Sequence, residues 1–329
     1  MSVALWSRRR AVPALLALAG VLPWRLSAAQ APWPSMPLRI IVVYPTGGLS
    51  DGVARALAER LAEQLGVPVR VENRAGGGGS VGMQVLARAH PDGHTLALSA
   101  VSPLTLRPHL GRVGYDPFRD IAPVASLMFT PVLLVGTPAF TGQTFADVLA
   151  QARARPSGLR WATSGVATAG HLVLEQVQIG SRVSVTHIPY KGGGQQLSDA
   201  LGGQFELLST NVAPAQLRHI RAGHLKPLAV GSPQRLEVLP EVPTFAELGL
   251  PHANVTSLFG LFAPGGTPPA MLDRLNAEIN AAVQTPLIRE RLLASDNLPA
   301  TGSRQAFVQQ IAAEWKNNQR LKGANIRLD

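Results

Sequence analysis

The chain has 329 residues, 46% of them hydrophobic, with 32 Gly and 27 Pro, a composition that excludes a disordered or fibrous protein and predicts about two globular domains. It contains no cysteine, which excludes disulfides, zinc–thiolate sites, thiol nucleophiles and a lipidated N-terminal cysteine. The formal net charge is +10, so the partners to consider are nucleic acids, membrane surfaces and small anions.

Residues 1–29 have the pattern of a cleaved export signal. A basic segment with three successive arginines precedes about 14 apolar residues, and small residues follow before Gln30. The apolar segment is shorter than the roughly 20 residues of a membrane-spanning helix. We therefore predict cleavage before Gln30 and a periplasmic protein, exported by the general secretory route or, through Arg8 and Arg9, by the twin-arginine route.

Cleavage at this point removes part of the positive charge. Residues 1–29 contain four arginines and no acidic residue, so the formal charge of +10 falls to +6. The remaining Lys and Arg residues are scattered singly along the chain, with no run of five like charges. This pattern disfavours nucleic acid as a partner and leaves a modest positive field that attracts small anions.

The first part of the remaining chain alternates strand and helix patterns. Apolar runs predict strands that begin at Leu38, Val67 and His94. Helices are predicted from Asp51 and after the glycines 76–79. The residues of the first helix that we expect to share one buried face are Val53, Leu57, Leu61 and Leu65. Repeated β and α units predict a parallel sheet covered by helices.

Two long apolar strands flank the middle of the chain and predict its division into lobes. One begins at Val124 and the other at Thr256. Between them lie a helix that begins with a capping box at Thr144 and Asp147 and a second set of short strands. We therefore predict an α/β fold with a ligand cleft between two lobes joined by two crossover segments. The predicted divisions are a signal peptide at 1–29, a discontinuous first lobe at 30–137 plus 260–329, and a second lobe at 138–259.

The loop YPTGGLSD after the first strand is the first candidate ligand site. Gly47 and Gly48 allow a ligand to approach the backbone closely, and we expect Ser50 or Asp51 to cap the following helix. Free N–H groups and the positive end of the helix dipole then bind a carboxylate without Arg or Lys. The alternative interpretation is a purely structural tight turn.

The glycine-rich segment AGGGGSVG fits two motifs loosely. Gly77, Gly79 and Gly82 satisfy G-x-G-x-x-G, but the acidic residue expected about 20 residues later in a dinucleotide site is missing. Gly78, Ser80 and Gly82 satisfy the G-x-S-x-G pattern of a nucleophile elbow, without a distinctive acid and histidine context. A flexible entry to a helix is therefore the favoured interpretation.

The segment WATSGVATAGHLVLEQ is the second candidate ligand site. Ser164, Gly165 and Thr168 lie where a predicted strand leads into a helix, and their hydroxyls and amides can bind an anion. His171 and Glu175 are four residues apart on that helix. They either orient one another or form an acid–base couple, and the orienting pair is favoured.

The segment HIPYKGGGQQ is interpreted as a wall of the cleft. Lys191 precedes its three glycines, whereas a phosphate-binding loop needs the lysine after them, so nucleotide binding is disfavoured. We also predict no metal site. His90 and His94 flank Pro91 and Gly93 and cannot share a helix face, and no other histidines form a ligand set.

Nine segments, in order along the chain, resemble the substrate-binding receptors of tripartite tricarboxylate transporters, also called the Bug receptors of the bacterial periplasm. The segments are PTGGLSD from Pro45, VENRAGGGG from Val71, PDGHTL from Pro91, YDPFRDIAPV from Tyr115, SGVATAGHLVLE from Ser164, PYKGGG from Pro189, LGGQ from Leu201, VPTFAELGL from Val242 and LFAPGGTPP from Leu261. The resemblance implies a two-lobed Venus-flytrap fold of the type II periplasmic binding proteins, and capture of a small carboxylate for integral-membrane transporter subunits. It also implies no enzyme activity and no cofactor, and we expect a monomer.

The resemblance also assigns residues to the ligand site. They are Tyr44, Thr46, Gly47, Gly48, Ser50, Asp51, Ser99, Ser102, Ser164, Gly165, Thr168, Ala169, His171, Tyr190 and Asn211. Four positions depart from the family pattern: Ala169 replaces a Ser or Thr, Thr210 an Asp, His94 a Tyr and Leu258 a Trp. The first two departures change polar contacts in the cleft, so the sequence does not name the carboxylate.

Two other functions stay open at this point. One is an α/β-hydrolase-like esterase that uses Ser80 as nucleophile, in which Ser80→Ala abolishes ester turnover. The other is a receptor whose liganded form signals to a membrane sensor kinase. That receptor binds the same ligand, so only the identity of its partner distinguishes it from a transport receptor.

Overall fold

Strands and helices alternate along the chain from Leu38 onward. The computed structural model describes residues 33–321, so the predicted signal peptide at 1–29 lies outside the described residues. The strands are β1 (Leu38–Val42), β2 (Val69–Asn73), β3 (Thr95–Ala100), β4 (Ile121–Gly136), β5 (Arg160–Thr163), β6 (Thr186–Pro189), β7 (Leu207–Asn211), β8 (Lys226–Gly231), β9 (Thr256–Pro264) and β10 (Leu298–Pro299). The α-helices are α1 (Leu49–Leu65), α2 (Ser80–Ala87), α3 (Ser102–Thr105), α4 (Arg107–Leu110), α5 (Phe145–Ala154), α6 (Ala169–Ser181), α7 (Gly193–Leu201), α8 (Pro214–Arg221), α9 (Pro269–Val283), α10 (Pro286–Leu293) and α11 (Arg304–Asn318).

The strands form one mixed sheet in the order β2-β1-β3-β9-β4-β7-β5-β6, and β8 and β10 also pair with β4. The groups β2-β1-β3 and β7-β5-β6 are parallel, but β9 is antiparallel to β3 and β4, and β4 is antiparallel to β7 and β8. The parallel sheet predicted from the first three strands is therefore confirmed for β1, β2 and β3, where helical crossovers join successive strands. The same type of connection recurs among β5, β6 and β7, but the sheet as a whole is mixed. β9 returns from the second group and runs opposite to its neighbours.

Strand β4 belongs to both parts of the sheet. Residues 121–131 pair with β9, and residues 132–136 pair with β7 and β8. The strand thus changes partners at Pro131 and Val132. The lobe boundaries predicted at 137/138 and 259/260 stay a prediction.

Apolar faces of the helices pack against both parts of the sheet. In α1, Val53, Leu57 and Leu61 are buried as predicted, while Leu65 at the helix end is half-buried. In the second part, Trp161 of β5 is completely buried in one apolar cluster with Val173 of α6. Full burial of a large apolar side chain contributes about 1.5–3 kcal/mol to folding. Burial of these apolar faces therefore fixes the position of α1 and α6 against the sheet.

The helix starts follow the expected local signals. Helix α5 begins with the predicted capping box, because the Asp147 amide donates to Thr144 Oγ1 at 3.3 Å and the Thr144 amide donates to Asp147 Oδ2 at 2.9 Å. Helices α8, α9 and α10 begin at Pro214, Pro269 and Pro286, where proline loses no helical hydrogen bond. Between residues 33 and 321, no helix combines the length and apolar character needed to cross a membrane.

Candidate functional site

The N-termini of four helices meet at one cavity of about 420 Å³. The residues at these helix starts that line the cavity are Gly48 and Leu49 of α1, Thr168 and Ala169 of α6, Gly192 and Gly193 of α7, and Ala213 and Pro214 of α8. The first N–H groups of a helix have no partner within it, and the aligned peptide dipoles place about +0.5 charge at that end. The four helix ends therefore make the cavity attractive to an anion without a buried cation.

The side chains of the cavity wall, like the helix ends, favour an anion. Among the described residues, no Asp or Glu lines the cavity, whereas Arg218 of α8 and Arg291 of α10 do. Both arginines are largely exposed. The hydroxyl and amide side chains of the wall belong to Ser50, Ser102, Ser164, Thr168, Thr210, Asn211, Gln216 and Ser257. The wall thus offers hydrogen-bond donors to a small anion from several directions.

Asp51 holds the loop between β1 and α1 and does not line the cavity. Its carboxylate is almost fully buried and accepts hydrogen bonds from the Gly47 amide at 2.9 Å, from Arg55 Nη2 at 2.9 Å and from Asn73 Nδ2 at 3.0 Å. The prediction that Ser50 or Asp51 caps α1 is wrong. Gly48 is the N-cap and makes no side-chain hydrogen bond, because the tight turn places Asp51 within the first helical turn, from where its carboxylate reaches back to Gly47.

The charge of Asp51 makes this loop sensitive to acid. Burial alone would raise the pKa of Asp51, but hydrogen bonds from Arg55, Gly47 and Asn73 together hold the pKa below its ordinary value. A carboxyl group with a lowered folded-state pKa stabilises the fold above its unfolded pKa, about 3.9, and this contribution is lost as the pH falls through the folded-state pKa.

We expect Asp51→Asn to lower the free energy of unfolding by about 2 kcal/mol at pH 7, since charge-assisted hydrogen bonds are lost. The loss relative to the wild type should shrink as the pH falls below about 4 and through the lowered folded-state pKa, at which the native carboxylate becomes protonated. Urea denaturation at several pH values measures both effects. Asp273→Asn is the matched control, because Asp273 forms an exposed ion pair with Arg304 that is worth about 1 kcal/mol at most. Equal losses in the two variants would contradict the anchoring role of Asp51.

Tyr44 contributes an uncharged phenol to the cavity wall. Burial raises its pKa to about 12, although hydrogen bonds involving Ser99, Ala100 and Ser102 oppose this rise. Its ring packs edge-on against Phe259, with 6.0 Å between ring centroids, and both rings line the cavity. Ser99 lies behind the wall, completely buried, and donates to the Ala100 carbonyl at 2.7 Å. Tyr44 therefore stays neutral at physiological pH and presents a donor and an apolar ring.

His171 positions the loop between β5 and α6. Ala167 has a left-handed backbone conformation, with φ of 58°, and its amide donates to His171 Nδ1 at 3.1 Å. Because Nδ1 accepts this hydrogen bond, Nε2 carries the ring proton and faces Glu175 Oε1 at 3.3 Å. Thr168 Oγ1 donates to the Gly165 carbonyl at 2.7 Å. Neither His171 nor Glu175 lines the cavity, so the geometry favours the orienting pair over the acid–base couple.

Loops from opposite sides of the cavity touch through glycine. Gly192 has φ of 144°, and a Cβ atom at this position would overlap the ring of Pro45. A Cβ atom at Gly78 would likewise overlap the carbonyl oxygen of Val166. The prediction that the KGGG segment forms a wall of the cleft is confirmed, since Gly192, Gly193 and Gly194 all line the cavity.

The structure brings most of the predicted ligand residues together. Those that line the cavity are Tyr44, Gly47, Gly48, Ser50, Ser102, Ser164, Thr168, Ala169 and Asn211. Those outside the wall are Thr46, Asp51, Ser99, Gly165, His171 and Tyr190. Tyr190 donates to Asp199 Oδ2 at 2.7 Å instead, and Ser80, the nucleophile of the esterase alternative, lies outside the wall and donates to the Gly77 carbonyl at 2.9 Å.

Sequence reasoning missed the contribution of α8 and α10 to the cavity. Gln216, Arg218 and Arg291 line it but were not predicted to bind ligand. A signal for α8 was present, because Pro214 follows a strand and marks a helix N-terminus. No local pattern indicates Arg291, which reaches the cavity only through the packing of α10 near α1.

The chain is similar in sequence to one family of bacterial receptors. Residues 53–325 match the model of the tripartite tricarboxylate transporter family receptor. The protein BugT of Bordetella pertussis is 35% identical over 303 residues, which cover 90% of this chain and 92% of BugT. The chain therefore belongs to the tripartite tricarboxylate transporter receptor family, as the sequence predicted.

Solved structures share the fold. A structure described as a periplasmic transporter is 33% identical, with a TM-score of 0.85, covering 90% of this chain and 100% of that one. The R. palustris protein Rpa4515, solved with adipate, is 31% identical, with a TM-score of 0.82, covering 88% of this chain and 98% of that one. These similarities confirm the predicted α/β fold of the periplasmic binding proteins.

Proposed function

We propose that this chain is a periplasmic receptor that binds a small carboxylate in the cavity where the four helix N-termini meet. The convergence of these helix ends, in a wall without Asp or Glu among the described residues, is the observation that supports the proposal most directly. Four positive helix ends and several hydroxyl groups stabilise an anion that would otherwise lose its hydration shell. The cavity of about 420 Å³ has the size of a small-molecule site.

Each part of the wall has a distinct role in this proposal. The backbone amides at the starts of α1 and α6 bind one carboxylate, while Asp51 and His171 hold these two loops from behind. Tyr44 and Phe259 contact the apolar part of the ligand. The adipate in the related R. palustris structure is a small carboxylate of this kind.

The cellular role that we propose follows from the family. The chain is exported through the predicted signal peptide at 1–29, binds its ligand as a monomer in the periplasm and delivers it to integral-membrane transporter subunits. It carries out no reaction and uses no cofactor. A signalling receptor for a membrane sensor kinase is the second candidate, and capture of the membrane partner by the liganded protein distinguishes the two.

A thermal-shift screen tests the proposed ligand class. Mono-, di- and tricarboxylates, amino acids and aromatic acids are compared with nucleotides as controls. Ligand at 100 times its Kd stabilises a protein by about 2.7 kcal/mol, so a bound carboxylate should raise the Tm by several degrees. A shift with nucleotides alone would contradict the receptor proposal. Ester turnover that Ser80→Ala abolishes would favour the esterase instead.

A further inference from the structure

A second, smaller cavity of about 220 Å³ adjoins the ligand cavity and contains a carboxyl group. The two cavities share a wall that is formed by Ala100, Ser102, Ala169 and Ser257. Glu314 of α11 lines the second cavity and does not line the ligand cavity. The proposed function makes no use of this acid, although it lies next to a site that favours anions.

The surroundings of Glu314 favour its uncharged form. The residue as a whole is half-buried, but protein atoms surround its carboxyl group and burial raises its pKa to about 7, although the hydrogen bond from Thr105 opposes this rise. Among the described residues, Arg320 is the other charged residue of this wall. It is exposed, and its Nη1 contacts His252 Nδ1 at 3.5 Å. Glu314 can therefore change its protonation state near neutral pH.

Thr105 of α3 provides a hydrogen bond for both protonation states of Glu314. Its Oγ1 lies 2.6 Å from Glu314 Oε1 and 3.0 Å from the Val101 carbonyl oxygen, and a hydroxyl group has one proton to donate. Ionised Glu314 accepts that proton. Protonated Glu314 can instead donate to Thr105, which then donates to the Val101 carbonyl. Because Val101 lies between Ala100 and Ser102 in the chain, the hydrogen bonds that change lie directly behind the shared wall.

Other charged and titratable groups lie further from the second cavity than Glu314. Strands β4 and β9 and helix α3 carry no acidic or basic side chain. The groups on the remaining elements around Glu314 are Arg107 and His109 of α4, His171 and Glu175 of α6, Asp273 of α9, Lys316 of α11, His252 and Arg320. Of these, Arg320 alone lines the second cavity in the described part of the chain.

An anion in the ligand cavity changes the proton affinity of Glu314. Two negative charges on either side of one wall repel each other, and protein screens this repulsion less than water does. A bound carboxylate therefore favours the protonated form of Glu314. By linkage, protonated Glu314 favours the bound carboxylate by the same factor.

We infer that Glu314 is a proton-binding group coupled to the ligand cavity, so that the receptor takes up a proton when it binds a carboxylate. The inference rests on the proposed function. Carboxylate affinity is highest while Glu314 is protonated in the free protein, and it falls as the pH rises through about 7. It becomes constant again once Glu314 is ionised in both the free and the bound protein.

Isothermal titration calorimetry at pH 6.0 and pH 8.5 tests the coupling, with adipate or, if adipate does not bind, the carboxylate that gives the largest Tm shift. We expect the wild-type Kd to rise about fivefold or more between these pH values. Titrations at pH 7.5 in two buffers of different ionisation enthalpy should show uptake of part of one proton. Glu314→Gln should lose both effects, because glutamine resembles the protonated acid but does not titrate.

Glu63→Gln is the matched control for this variant. Glu63 forms an exposed ion pair with Arg60 and lines neither cavity, so its substitution should leave the pH dependence of the wild type unchanged. If the wild type binds carboxylates but Glu314→Gln keeps the wild-type pH dependence, the inference alone fails. If the wild type binds none of the carboxylates, the proposed function fails and the inference fails with it.

The stability of the ligand-free protein shows separately whether Glu314 titrates near neutral pH. A carboxyl group with a raised folded-state pKa stabilises the fold below its unfolded pKa, about 4.3, and this contribution is lost as the pH rises to the folded-state pKa of about 7. Glu314→Gln should therefore gain stability relative to the wild type between about pH 5 and pH 7, as measured by urea denaturation. A difference that does not change with pH would overturn the inference.

Discussion

Gly192→Ala should weaken carboxylate binding about 10- to 100-fold. Gly192 has φ of 144° and ψ of −175°, a backbone conformation that is almost exclusive to glycine and costs other residues about 1–3 kcal/mol. The added methyl group would also overlap Pro45 on the opposite loop. The two loops that form the cavity wall could then no longer approach as closely, so the ligand would lose contacts with one of them.

Gly302→Ala is the matched control for this substitution. Gly302 does not line the cavity and has no positive φ, and a Cβ atom there would meet nothing within 4 Å. Gly302→Ala should therefore keep the wild-type Kd. Calorimetric titration with the best carboxylate from the thermal screen measures both variants. Equal affinities would show that the approach of Gly192 to Pro45 is not needed for binding.

Trp161→Ala should lower the free energy of unfolding by about 3–5 kcal/mol. Trp161 is completely buried, and its Nε1 donates to Ser209 Oγ at 3.0 Å. Ser209 Oγ in turn donates to the Gly170 carbonyl in the first turn of α6 at 2.8 Å. The substitution therefore creates a cavity and also removes the hydrogen bond between β5 and Ser209 of β7, the residue that itself donates to the start of α6.

Trp161→Phe separates the two contributions. Phenylalanine retains most of the apolar volume but leaves Ser209 without its donor, so we expect a loss of about 1–2 kcal/mol. Urea denaturation followed by far-ultraviolet circular dichroism measures both variants. A loss below 1 kcal/mol for Trp161→Ala would contradict the packing described for this strand.

The sequence predicted the parts of the site that depend on local backbone signals. Gly47, Gly48 and Thr168 follow apolar strands and precede amphipathic helices, and such a pattern places helix N-termini at the carboxyl ends of strands. The direction of a side chain within a loop has no comparable signal. Asp51 and His171 were therefore assigned to the ligand site, although hydrogen bonds to their own loops turn both away from the cavity.

Two features that the sequence did not predict, the cavity residues of α8 and α10 and the direction of β9, depend on tertiary packing. Gln216 and Arg291 reach the cavity from helices whose positions depend on the whole sheet. The direction of β9 also depends on packing, because hydrophobicity along a buried strand is the same in either direction. Helix and strand patterns thus predicted the elements and the nine matching segments predicted the family, while the contributions of α8 and α10 to the cavity required the three-dimensional structure.

The position of Pro131 affects how the sheet can deform. Proline has no amide hydrogen, so β4 lacks a ladder donor at the residue where it changes from pairing with β9 to pairing with β7 and β8. The Pro131 carbonyl nevertheless accepts from the Val212 amide at 3.0 Å, and the proline ring fixes φ near about −65°. The change of partner therefore occurs at a stiff residue, so the strand stays continuous through both parts of the sheet although its pairing partner changes.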